Sequence, residues 1–179
     1  SSRNKKIILN PLKSGFFISM RYHKLTEKQL HEMHREFSVF LSSQGIDKEK
    51  WNNIKKNKPR DISNYINLFS DIVWEKILTD CEFVDFLTSD QVFLFETNKK
   101  LAHLIVVKLK SKTLDITTSK GFEIMLKKIH DDSVELFQAS KSYSPTRNLF
   151  IYNQLKKGAI ITKGERYKRL KSYFQNSSK

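Results

Sequence analysis

Seven basic residues near the C-terminus are the groups in this sequence best placed to do chemistry. Lys156 and Lys157 close one helical pattern, and Lys163, Arg166, Lys168, Arg169 and Lys171 occupy the outward positions of the next. Ammonium and guanidinium groups repeated along a helix attract phosphates, and the nearby Tyr143, Tyr152 and Tyr173 offer rings on which bases can stack. Helix, Gly-containing turn and helix is also an order in which proteins present such groups to nucleic acid. The segment lacks the Asn, Gln and Arg pattern that reads base edges, so binding would be to the backbone and strongly salt-dependent. The plain alternative is a pair of solvated helix faces.

A second set consists of the carboxylates Glu82, Asp85, Asp90 and Glu96, followed by Lys108 and Lys110. Acids and a lysine on adjacent strands can assemble the core of a metal-dependent hydrolase or nuclease. Glu82 and Asp85 point to opposite strand faces, however, and no acid-x-Lys tripeptide occurs, which favours ordinary edge-strand charges. Glu27, His31 and His34 share a helix flank, but His-x-x-His lacks the spacing and internal base of the zinc-protease motif. His103 shares a strand face with Leu101, Ile105, Val107 and Leu109 and reads as a hydrogen-bonded core residue. Cys81 has no base or cation beside it in sequence and reads as a buried structural thiol. Five glycines, mostly at helix ends, leave no phosphate-cradling loop or nucleophile elbow. No catalytic residue, metal site or cofactor is expected.

These groups need a scaffold, and its centre is the stretch 61–78. Ile62, Ile66, Phe69, Val73 and Ile77 line one side of a helix, widened by Tyr65, Leu68 and Ile72, with Asn64, Asn67, Asp71 and Glu75 opposite. Trp74 and Leu78 fall toward the polar side and are candidates for contact with a partner protein. Before it, Thr26–Gln29 forms a capping box opening a helix with Leu30, Met33, Phe37, Phe40 and Leu41 on one face, and Gly45 stops that helix. Asp47 caps a short helix carrying Trp51 and Ile54, which Asn57–Arg60 breaks.

From Cys81 the period becomes that of strands: 81–87, 91–96 and 101–110 read as an antiparallel meander, the third strand inner. A helix from Ser119 to about Ile129 and a fourth strand at 133–140 follow. Pro145 starts a helix that runs to about Lys157 and ends at Gly158, and Thr162–Glu165 is a second capping box, for a helix with Tyr167, Leu170 and Phe174 inward. The expected fold is α+β: a small, mostly antiparallel four-stranded sheet packed with an N-terminal helical group and a C-terminal helix pair, one domain over 20–179.

With 179 residues, 39% apolar, the chain can bury one proper core. A single cysteine favours a reducing compartment, the cytoplasm, and no apolar run approaches the roughly 18 residues of a membrane helix. The charge of +14 is concentrated at the ends, with 10 basic and 1 acidic residue in 141–179, which points to polyanionic partners. Residues 1–19 match the rest poorly in pattern. They are expected to be a non-native or disordered leader, either upstream translated sequence or an expression remnant, with the native start at Met20.

The segments Arg21–Thr26, Glu36–Leu41 with Gly45-Ile46 and Trp51, and Phe69–Glu75 resemble a family of short bacterial proteins, mainly from Bacteroidota, classed as a domain of unknown function. Gly121–Glu123, Asp131–Glu135, Lys157–Ala159 and Ile161–Glu165 are similar too, so the resemblance spans Met20 to Phe174. The chain departs from that pattern in lacking a Pro near Ser119-Lys120 and in being more basic. The resemblance implies no activity and no site residue. The leading expectation is a non-enzymatic intracellular binding protein that engages nucleic acid or a ribonucleoprotein through the C-terminal helices. The alternatives are a metal-dependent hydrolase or nuclease using the meander carboxylates, and a protein adaptor.

Overall fold

A computed structural model describes residues 20–110 and 113–176. The expected leader, 1–19, lies outside the described residues. The chain divides into two compact units after Lys76.

In the first unit, α1 (Glu27–Glu32), α2 (His34–Ser43) and α3 (Lys48–Asn57) precede the long α4 (Pro59–Asp80). The Thr26 capping box forms as expected, the Gln29 N–H donating to the Thr26 hydroxyl and the Gln29 side chain accepting from the Thr26 N–H. The single helix expected to run from there to Leu41 is instead split at Met33. Asp47 caps α3, Gly45 takes φ +72°, and Pro59 begins α4, where a missing N–H costs nothing. Leu25, Phe40, Leu41, Ile46, Phe69 and Val73 form the core, with the rings of Phe37, Phe40 and Phe69 packed together and Trp51 against Phe37.

The second unit is a five-stranded antiparallel sheet of order β4-β3-β2-β1-β5, built from β1 (Phe83–Leu87), β2 (Gln91–Thr97), β3 (Leu101–Leu109), β4 (Val134–Ser142) and β5 (Ile160–Thr162). The expected meander and fourth strand are present, and β5 is additional, pairing Thr162 with Phe83 and Ile160 with Asp85. Three residues are too few to show a strand period, and the flanking Gly158 and Gly164 read as helix punctuation. Because β5 intervenes, α6 (Arg147–Lys156) and α7 (Glu165–Asn176) do not form a helix-turn-helix pair. α6 packs Phe150 on Phe95, on one sheet face. α7 packs Tyr167 on Phe83, on the other, since Phe83 is paired with Glu96 and so faces away from Phe95.

The core of the α7 face joins Phe83, Val92, Leu94, Ile105, Val107 and Leu109 to Phe122, Met125 and Leu126 of α5 (Ser119–Lys127) and to Leu170. The second capping box does not form. Thr162 sits in β5, where its hydroxyl donates to Asp85 and accepts from the Gly164 N–H. Gly164 turns the chain into α7 at φ +75°, and a Cβ there would lie 2.5 Å from the Phe83 ring.

Candidate functional site

The basic residues of α7 are directed largely at acids of the same unit. Arg166 approaches Asp85 at 3.7 Å and donates to the Thr117 carbonyl. Lys171 lies 3.1 Å from Glu96, and Arg169 makes a two-pronged pair with Glu123 of α5. Three of the seven expected polyanion contacts therefore clip α7 to the sheet and to α5. The same contacts employ Asp85 and Glu96, so the acids of the metal-hydrolase alternative and the bases of the nucleic-acid reading are partly each other's partners.

Lys156, Lys157, Lys163 and Lys168 are placed differently. All four are exposed, and among the described residues none has an acidic partner. Lys156 lies over the Tyr152 ring and Lys168 over the Phe83 ring, while the Lys168 ammonium donates to the Lys163 carbonyl at 2.8 Å. Lys157 and Lys163 bracket β5, so these lysines gather around one edge of the sheet. Exposed Ile160 and Ile161 lie between them. Tyr152, expected to be free for stacking, is buried, and the Tyr143 hydroxyl donates to the carbonyls of Asn98 and Leu101.

The carboxylates of the meander do not converge. Asp85 is buried; burial pushes its carboxyl above the usual range, against the pull of the Thr162 hydroxyl and Arg166. Asp90 meets the Thr88 hydroxyl in the β1–β2 turn, and Glu82 is exposed. No three His, Cys, Asp or Glu side chains among the described residues are grouped to hold a metal. His34 uses Nδ1 on the His31 carbonyl rather than turning it outward beside Glu27.

Glu96 borders a cavity of about 500 Å³ on the α7 face, with His103, Gln138, Ser140, Tyr167 and Lys171. Glu96, His103 and Ser140 are register neighbours on three consecutive strands. His103 Nδ1 lies 2.8 Å from the Ser140 hydroxyl. Glu96 accepts from the Tyr167 hydroxyl and from Lys171, so its carboxylate is held by α7 rather than by His103. Burial, reinforced by Glu96, drives the Tyr167 hydroxyl far above its ordinary pKa. The row holds an acid, an imidazole and a hydroxyl, but not the relay of a hydrolytic triad.

Neither candidate for protein contact is a free surface. Leu78 is 0% exposed. The expectation that it faces outward is corrected: the buried positions of α4 do not keep to one side, Phe69 and Val73 lying on one flank and Leu78 on another. Trp74 is half-buried, its indole N–H donating to the His23 carbonyl and its ring meeting the edge of His23. The backbone N–H groups of Arg21 and Tyr22 donate to Asp71, the Leu25 N–H to the buried Ser70 hydroxyl, and the Tyr22 hydroxyl to Glu75. Two of the stretches that carried the family resemblance, Arg21–Thr26 and Phe69–Glu75, are thus one strapped assembly.

Sequence reasoning missed Arg147. Its guanidinium donates to the carbonyls of Leu78, Cys81 and Thr97. It gathers the end of α4, the approach to β1 and the end of β2 around one side chain. The only cue was a lone Arg after Pro145 and Thr146. Burial raises the neighbouring Cys81 thiol above its usual pKa, as suits a structural rather than reactive cysteine.

Fold and surface together define an α+β protein, an antiparallel sheet with helices on both faces, lysines along one edge and a polar cavity near the other. Within that class the chain belongs to the family of unknown function DUF6495, whose model matches residues 20–175. No curated protein and no solved structure matches it. No helix among the described residues is long and apolar enough to cross a membrane.

Proposed function

We propose that this is a non-enzymatic binding protein of the cytoplasm that holds the phosphate backbone of nucleic acid on the lysines around β5. The observation that carries the reading is the division of labour among the basic residues. Lys156, Lys157, Lys163 and Lys168 are exposed without acidic partners among the described residues, whereas Arg166, Arg169 and Lys171 are engaged internally. Lys157 and Lys163 are six residues apart, a reach of at most roughly 20 Å, which suits successive phosphates of one strand. Contact of this kind is blind to sequence and gains its energy from counterion release.

The test is filter binding of a single-stranded RNA over a series of salt concentrations. Replacing the four lysines by Glu should abolish retention at physiological salt. Replacing them by Gln should flatten the dependence of log K on log salt by about 3, four contacts at roughly 0.7 each. Substituting Arg166, Arg169 and Lys171 by Gln should lower thermal stability and leave the slope nearly unchanged. Full retention by the Glu variant, or the larger slope change in the Arg166 set, refutes the assignment.

A further inference from the structure

The two edges of the sheet are unlike. β5 is three residues long and bracketed by Lys157 and Lys163, features that discourage strand addition. β4 is nine residues long, contains neither Pro nor Gly, and among the described residues pairs only with β3. The Lys110 N–H donates to the Ser133 carbonyl, which sets the parity of the β3–β4 ladder. Glu135, Phe137, Ala139 and Lys141 therefore exchange bonds with β3. Leu136, Gln138, Ser140 and Ser142 turn their N–H and C=O groups to the open edge, and Val134 only its C=O, its N–H donating to the Asp131 carbonyl. Phe137 is 53% exposed.

We propose that this edge binds a second copy of the same chain, β4 against β4, antiparallel about Gln138. Gln138 is the midpoint of Val134–Ser142, so full overlap sets it opposite itself, and its backbone groups face outward as such a pair requires. The same register sets Glu135 opposite Lys141 of the second copy, and Phe137 opposite Ala139. Each copy thus supplies one acid and one base to two symmetric pairs, and each phenyl ring meets a small residue rather than another ring. A shift by two residues sets Glu135 opposite Ala139 in one direction and carries it past the end of the strand in the other. A shift by one turns every outward backbone group against an inward one. Glu135 lies 4.0 Å from Lys110 of its own chain, so in the pair it stands between two ammonium groups. The interface is isologous and closes as a dimer. Gln138 and Ser140 also line the polar cavity, so joining the sheets sets the cavities of the two copies side by side on one face. The inference is independent of the nucleic-acid reading.

Sedimentation equilibrium of the full chain at physiological salt tests it. One strand edge buries less than the roughly 1,600 Å² of a standard interface, so a monomer–dimer equilibrium with Kd on the order of 10 μM is expected. Lys141→Glu should raise Kd about tenfold, and the swap Glu135→Lys with Lys141→Glu should restore it to within about threefold. Gln138→Pro removes only an outward N–H, spares the β3–β4 ladder and should abolish dimerisation. In Gln138→Cys the facing Cα atoms would lie about 5.5 Å apart, inside disulfide range, so mild oxidation should cross-link the dimer, with Cys81 buried. A chain that stays monomeric to concentrations well above the expected Kd overturns the proposal. So does a dimer indifferent to Lys141→Glu and Gln138→Pro. Circular dichroism establishes that each variant is folded, and if Gln138→Pro is not, the charge swap decides.

Discussion

Replacing Arg147 by Met should unfasten the second unit. The guanidinium donates at 2.9 Å to the Leu78 carbonyl, at 3.0 and 3.1 Å to that of Thr97, and to that of Cys81. Leu78 lies in the last turn of α4, whose final carbonyls have no intrahelical partner, and a cation there also meets the negative end of the helix dipole. Hydrogen bonds from a charged donor contribute about 1.5–3 kcal/mol each. Met returns the apolar packing of the stem but none of the donors, and relieves the desolvation of a half-buried cation. A net loss of about 3–4 kcal/mol is therefore expected. With an m-value near 2 kcal/mol/M, the urea midpoint should fall by roughly 1.5–2 M.

Both tryptophans, Trp51 and Trp74, lie in the first unit. Their fluorescence follows that unit, while hydrogen exchange over 81–97 follows the second. The exchange protection of β1 and β2 should drop in Arg147→Met, and Arg147→Lys, with a point charge in place of a fork, should recover no more than about half of the loss. A midpoint shift below about 0.5 M with unchanged protection of β1 and β2 would refute the reasoning.

Two further outcomes follow from the described geometry. Leu78→Ala should cost about 3 kcal/mol in a denaturant melt, since the side chain is fully buried; it should leave RNA retention unchanged in the folded protein, and a neutral effect on stability would return Leu78 to the surface. Tyr22 is pushed up to about 12 by burial and by the Glu75 carboxylate it bonds. Its folded pKa lies above the unfolded value of about 10, so its contribution is intact below pH about 10 and is lost as pH rises toward about 12. An alkaline spectrophotometric titration should show Tyr22 ionising late and together with unfolding, and Glu75→Gln should bring that transition to lower pH; an early, reversible ionisation of Tyr22 in the folded protein would contradict the assignment.

Period and capping chemistry were legible in the residues, because both are local. Thr26 with Gln29, Asp47 and Gly45 mark helix ends through contacts spanning three or four residues, and the change of period at Cys81 announces the meander. The α+β class and four of the five strands follow from these. β5 was not legible, because a three-residue strand has no period and is defined by its partner, β1. The site was legible only as a set of charges. Nothing in the order Lys163, Arg166, Lys168, Arg169, Lys171 distinguishes a residue aimed at Glu96 from one aimed at solvent.

The sequence by itself determined the sign of the charge, where α1 and α3 begin, and where the meander strands lie, since each depends on neighbours within a turn or a strand. Only the tertiary structure decided that Arg166, Arg169 and Lys171 are fasteners while Lys156, Lys157, Lys163 and Lys168 remain available, and that Arg147 ties three distant carbonyls together. It also decided that Leu78 is core and that Trp74 is covered by His23. The physical reason is range: a charge acts on whatever the fold brings within a few ångströms, and those partners, such as Glu96 for Lys171 or Leu78 for Arg147, lie many tens of residues away in the chain.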